Sequence, residues 1–184
     1  MRKIVRAVEC MCFTNIKLLV MKYVAQKKIK FSLKHVISFN TKLDVSGNAK
    51  LNLGKMVNIT QATLAVRDNA TLDIAEGVFI NTSAIITCRE QITIGENTLF
   101  GPNVLIYDHD HMINLNGMVE KKKFVTNPIS IGKNCWIGAG TIILKGTVIG
   151  DNTIVGAGSV LSGNYPANSV IVQKRETTIK TVKC

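Results

Sequence analysis

Over the C-terminal half of the chain, aliphatic residues return at every sixth position. Written from Ile131, the sequence falls into IGKNCW, IGAGTI, ILKGTV, IGDNTI, VGAGSV and LSGNYP. The first position is Ile131, Ile137, Ile143, Ile149, Val155 and Leu161; the fifth is small in Cys135, Thr141, Thr147, Thr153 and Ser159. The fourth is always Gly or Asn: Asn134, Gly140, Gly146, Asn152, Gly158 and Asn164. An inward aliphatic residue fills a core, and a small fifth residue fits inside a corner. Gly and Asn tolerate the positive φ that a sharp turn demands. Three such faces close one triangular coil, and stacked coils pair edge to edge as parallel sheets. Twofold alternation alone would suggest ordinary strands. The six-residue period with its turn residue predicts an all-β solenoid, a parallel β-helix.

The register extends backwards. Ile94, Phe100 and Ile106 repeat it, with Asn97 and Asn103 at the turn position and Thr98 and Val104 after them. Ile74, Ile80 and Ile86 repeat it one coil earlier, and Leu53 and Ile59 one coil before Ile74 and Ile80, at a slightly longer spacing. The longer coils imply bulges at one corner, and about five to six coils are expected from near Val45 to Leu161. Three regions follow: residues 1–40, a β-helix over 41–168 with an insert at 107–130, and a basic tail over 169–184. In the first, Ile4, Val8, Met11, Cys12, Ile16, Leu19, Val20 and Tyr23 approximate helical spacing. One or two amphipathic helices capping the coil stack are expected there.

Composition narrows the picture. Apolar residues make up 46% of the chain, but aromatics only 5%, so aliphatic and small side chains must fill a narrow cross-section. The net charge is +11, and residues 1–40 hold nine Lys/Arg (2, 3, 6, 17, 22, 27, 28, 30, 34) against the single Glu9. Such a segment attracts anionic surfaces. No interleaving of aromatic and basic residues points to nucleic acid, whereas peripheral membrane contact through residues 1–40 fits. The longest apolar run there, Leu18 to Met21, falls far short of the roughly 20 residues that span a bilayer. A cytoplasmic protein is expected. Five cysteines without a CxxC pair suggest neither a disulfide framework nor a zinc site.

The repeat breaks once. After Ile106 the next aliphatic residue in register is Ile131, where an unbroken repeat would place one six positions on. The intervening chain is inserted at one corner. It opens YDHDHMINLNGM and holds two of the three histidines, His109 and His111, beside Asp108 and Asp110. Function tends to sit on loops held by rigid scaffolds. An imidazole can take a proton from a hydroxyl at neutral pH, with a neighbouring carboxylate fixing its tautomer. A solvated polar loop is the plain alternative. Two histidines at i, i+2 could also share a cation, but a catalytic zinc needs three protein ligands and His35 is remote.

The repeats, the DHDH insert and the NCWIGAG segment together resemble the hexapeptide-repeat acyltransferases, in particular the sugar O-acetyltransferases. That branch includes galactoside and maltose acetyltransferases and enzymes that decorate capsular or lipopolysaccharide sugars. The likeness covers roughly positions 40–180. It implies a left-handed coil, acetyl-CoA as acyl donor, no metal, and a homotrimer with active sites between subunits. It implies that His109 is the general base, with His111 a poorer candidate, and that Asn103 of Gly101-Pro102-Asn103-Val104 faces the acceptor. Asp108 and His111 would line the acceptor side with Trp136. The Ala139 N–H would meet the thioester oxygen, with Gly138 beside it in the cofactor site, and Ala157 would meet the pantetheine arm. The closing basic motif departs from the family pattern: positions 173–180 read QKRETTIK, leaving Lys174, Arg175 and Lys180 as cations for the CoA phosphates.

The expected reaction is acetyl transfer to a sugar or glycan hydroxyl by direct attack. N-acylation of an amino sugar uses the same base and donor. A metal-binding β-helix would need a third ligand beside His109 and His111. A nucleotidyltransferase would need a nucleotide-binding domain before the coil, which the segment 1–40 is too short to supply.

Overall fold

A computed structural model of the chain describes residues 16, 19, 20, 23, 28–31, 35–174 and 176–180. The described strands build three parallel sheets, of seven, seven and six strands, that wrap one core. The first sheet runs Ile29–Phe31, Lys50–Leu53, Thr71–Ile74, Gln91–Ile94, Ile129–Ile131, Val148–Ile149 and Asn164–Tyr165. The second runs Val36–Ile37, Asn58–Ile59, Phe79–Ile80, Leu99–Phe100, Trp136–Ile137, Ile154–Val155 and Val170–Ile171. The third runs Lys42–Val45, Ala62–Val66, Ala84–Cys88, Leu105–Tyr107, Ile142–Ile143 and Val160–Leu161. The chain visits the sheets in rotation, which makes it a β-helix of about six turns.

The sixfold register is the observed one. Ile94 pairs with Ile131 and Ile131 with Ile149, Phe100 with Ile137, and Ile106 with Ile143. All of these are buried. The turn position takes φ between 54° and 75° at Asn97, Asn103, Asn134, Gly140, Gly146, Asn152 and Gly158. The small fifth position is buried at Thr98, Cys135, Thr141, Thr147, Thr153 and Ser159. Its hydroxyl is satisfied locally: Thr141 Oγ1 donates to the Gly138 carbonyl at 2.7 Å, Thr147 to Leu144 at 2.6 Å, and Ser159 to Gly156 at 2.7 Å. A buried hydroxyl with such a partner avoids the desolvation penalty of an orphaned one.

The extra residues of the long coils gather at the corner between the third and first sheets. Ile86 to Ile94 takes eight steps where Ile143 to Ile149 takes six. The insert leaves the same corner, between Ile106 and Ile131. Above it, the last coil is shorter than expected. Ile149 pairs with Tyr165 and Val155 with Ile171, a tighter circuit than the one that joins Ile131 to Ile149. The turn therefore falls at Gly163 (φ 93°), and Asn164 is a strand residue.

Two expected boundaries move. The coil begins at Ile29, paired with Leu51, well before residue 41. It continues to Ile171, past residue 168, because Val170 and Ile171 join the second sheet. Of the expected helical cap, Ile16, Leu19, Val20 and Tyr23 are described and helical. Their side chains are exposed, so these members of the stripe do not pack on the coil stack. The rest of residues 1–27 lies outside the described residues.

Candidate active site

The insert is an antiparallel hairpin, not an open loop. His109–Ile113 pairs with Val119–Thr126, with His109 opposite Thr126 and His111 opposite Phe124. Its turn is set by Asn114, whose side-chain oxygen accepts the N–H groups of Asn116 and Met118, each at 3.0 Å, and by Gly117 at φ 74°. The Asn116-Gly117 pair is the sequence signal for such a turn. At the base, the Asn127 N–H donates to the Asp108 carbonyl at 2.9 Å and closes the hairpin onto the coil.

Asp108 is the anchor. Its carboxylate is fully buried and accepts the backbone N–H of Arg89 (2.9 and 3.0 Å) and of Glu90 (2.8 Å) from the coil before it. The His109 Nδ1 lies 3.0 Å from the same carboxylate. An ionised carboxylate only accepts hydrogen bonds, so Nδ1 carries the proton and Nε2 is left as the basic nitrogen. The expectation that Asp108 touches the acceptor is therefore corrected: with no exposed surface, it positions His109 instead.

The imidazole of His109 is held on two sides by ring edges, Tyr107 at 6.2 Å and Phe124 at 5.3 Å between centroids. His111 lies tilted on Phe124 at 4.7 Å, and its Nδ1 faces the Glu120 carbonyl at 3.1 Å. The Arg89 guanidinium stacks 3.6 Å from the centroid of the Phe124 ring and pairs with Asp68 at 2.6 Å. Elsewhere on the hairpin, Asp110 pairs with Lys145 at 2.8 Å. Sequence reasoning misses Arg89, Phe124, Tyr107 and Lys145. Arg89 is separated from His109 by a whole coil, and only the insertion at a shared corner brings the two together.

The other expected residues gather at a different corner, between the second and third sheets. There the turns Gly101-Pro102-Asn103, Gly138-Ala139-Gly140 and Gly156-Ala157-Gly158 stack directly. The Gly140 N–H donates to the Pro102 carbonyl at 2.9 Å, and Gly158 to Ala139 at 2.7 Å. A Cβ on Gly101 would stand 2.7 Å from the Ala139 nitrogen, and one on Gly138 2.6 Å from that of Ala157. Only glycine allows turns to stack this closely. The result is a flush ridge on which Asn103, Ala139 and Ala157 are exposed. The N–H groups of Ala139 and Ala157 take no part in these two bonds between turns. Trp136, 56% exposed, stands two residues before Gly138 on the second sheet, in line with Leu99 and Ile154.

Within one chain these two groups are apart. Asn103 precedes the strand Leu105–Tyr107 and His109 follows it, so an extended stretch of roughly 15–20 Å separates them. Lys174 and Lys180 are exposed beyond the last strand, and Arg175 lies outside the described residues. A groove of about 670 Å³ runs along the first sheet past Asn52, Asp73 and Thr93 and includes neither group. Among the described residues, no three His, Cys, Asp or Glu side chains converge as a metal site would require.

A parallel β-helix with a histidine hairpin at one corner and a glycine ridge at another defines a class of repeat protein. Residues 128–163 match the family described as bacterial transferase hexapeptide (six repeats). That stretch carries the hexapeptide repeat of this family. The chain is 38% identical over 122 residues to a conjectured acetyltransferase of Dictyostelium discoideum, covering 66% of this chain and 64% of that one. It is 33% identical to the galactoside O-acetyltransferase of Escherichia coli K12, over 55% of this chain and 49% of the relative. A maltose O-acetyltransferase from Clostridium difficile 630 superposes with a TM-score of 0.56 at 35% identity, covering 64% of this chain and 62% of the other. An N-acyltransferase from Bacillus cereus, in complex with coenzyme A and a dTDP-linked amino sugar, shares the fold: TM-score 0.63, 18% identity, 80% and 83% covered. The chain spans less than two thirds of the length of these curated relatives.

Proposed function

We propose that the protein transfers an acetyl group from acetyl-CoA to a hydroxyl of a sugar or glycan, with His109 as general base. The observation that carries this is the buried Asp108 carboxylate on His109 Nδ1. It leaves Nε2 as the free basic nitrogen at the single break in the repeat. In this reading Nε2 takes the proton as the acceptor oxygen attacks the thioester carbonyl. The C–S bond then breaks, and the imidazolium returns the proton to the departing thiolate. No acyl-enzyme forms. The Ala139 N–H meets the oxyanion, an interaction worth about 3–4 kcal/mol at the transition state in comparable sites. Ala157 borders the pantetheine arm, Trp136 and Asn103 border the acceptor, and Lys174, Arg175 and Lys180 are the cations available to the CoA phosphates.

The separation of His109 from the ridge supports a site completed by a second copy, as in a homotrimer. The hairpin tip supports it too, since Ile113, Leu115, Met118 and Val119 are all more than half exposed on the single chain. The outward positions of the second sheet do likewise: Leu99, Trp136, Ile154 and Val170 form an apolar stripe.

CoA release measured against a panel of saccharides tests the chemistry. His109→Ala is expected to lower kcat by about 100-fold or more, and undiminished turnover would sink the mechanism. An amino sugar as preferred acceptor, giving an alkali-stable amide, would replace the ester reading with N-acylation. Mixing subunits tests the shared site. His109→Ala and Ala157→Trp, each inactive alone, should together regain about a quarter of wild-type activity after subunit exchange, because each site draws its two halves from different chains. Failure to complement would put both halves in one chain.

A further inference from the structure

We propose that the N-terminal segment docks the protein on an anionic lipid surface. Ile16, Leu19, Val20 and Tyr23 are helical, and in the sequence they follow the i, i+3, i+4, i+7 spacing of an amphipathic stripe. They are 57%, 54%, 56% and 90% exposed, so the coil does not cover these four side chains. In the sequence the same spacing continues backwards through Met11, Cys12, Val8 and Ile4. Among the described residues no helix is long and apolar enough to cross a membrane. An apolar stripe of this kind lies in an interface and does not span it.

Charge selects the occupant. The segment 1–40 carries nine Lys/Arg against Glu9 alone. A second copy of the segment would set this one-signed charge against itself. Nucleic acid would satisfy the charge and leave the stripe in water. An anionic bilayer satisfies both, since its acyl boundary takes the apolar face and its negative surface potential attracts each cation nearby. Docking there would confine the protein to the plane in which lipid-linked saccharides lie. The inference does not depend on the acetyl-transfer reading, and its failure would leave that reading untouched.

Co-sedimentation of the full chain with vesicles of phosphatidylcholine, with and without phosphatidylglycerol, tests it at low and high salt. The protein should pellet with the anionic vesicles and little with the neutral ones, and salt should weaken the binding. The double variant Leu19→Ser/Val20→Ser should bind at least about tenfold more weakly. Lys17→Gln/Lys22→Gln should do the same through charge. Both should keep the wild-type melting temperature and gel-filtration volume. The proposal is overturned by absent pelleting, by equal pelleting with neutral vesicles, or by wild-type binding of the serine variant. A changed elution volume for the serine variant would also overturn it, by showing that the stripe joins copies.

Discussion

Asp108 accepts three close N–H contacts from two backbone amides while facing His109 Nδ1, so one carboxylate both fastens the hairpin and sets the tautomer. Asp108→Asn would turn an NH2 group toward donors. Urea denaturation should show a loss of about 2–4 kcal/mol, and kcat should fall at least about 100-fold. Preserved activity in a destabilised variant would confine Asp108 to folding. Arg89→Met keeps an aliphatic stem over Phe124 but removes the cation and the Asp68 pair. Losing a cation–π contact worth about 0.5–2 kcal/mol should loosen the ring that borders both imidazoles, lowering kcat more than it raises KM. The residues of this site differ in how legible they are along the chain. His109 stands out because it interrupts a period. Arg89 does not, because its link to Phe124 exists only after the coils stack. The likeness to sugar acetyltransferases sets Asp108 on the acceptor side, and nothing local announces the two amides that enclose it.

Among the turns, the physics is local, and so the sequence is a good guide. Seven turn positions have the expected positive φ because Gly and Asn adopt it at the least steric cost. Asn134→Gly should leave the melting temperature nearly unchanged, whereas Asn134→Val should cost about 1–2 kcal/mol by chemical denaturation. Equal effects would show that the Asn134–Asn152 side-chain bond, 3.2 Å, matters more than the backbone. Where the guide fails, the cause is long-range. Asn164 satisfies the six-residue rule, but the circuit that joins Ile149 to Tyr165 closes early. Gln173 reads only as part of the basic tail over 169–184. Its amide instead donates to the Val160 carbonyl at 2.7 Å and accepts the Val160 N–H at 2.9 Å, pairing the last edge of the third sheet as a strand would. Expected exposure could not reveal that, since a glutamine reads as solvent-facing wherever it lies.

At the scale of the whole molecule, the core is one column of aliphatic side chains with two thiols set in it, Cys88 and Cys135. Burial first, and then the negative charge of Asp108, push the Cys88 thiol far above its ordinary range; burial likewise raises Cys135. The unfolded chain ionises these thiols at about pH 8.5, while the folded chain keeps them protonated. Unfolding then releases protons, so stability should be flat below that pH and decline above it. Urea midpoints at successive pH values check this, and Cys88→Ala/Cys135→Ala should flatten the alkaline decline. The same column bears on how such a chain can change. The hairpin leaves the corner where the lower coils already carry extra residues, outside the three sheets. Lengthening a segment there adds only about 0.6 kcal/mol of closure entropy per doubling and disturbs no inward side chain. That corner therefore behaves as a socket. Hairpin tips of other lengths and chemistries can be exchanged between His109 and Asn127 without redesigning the solenoid.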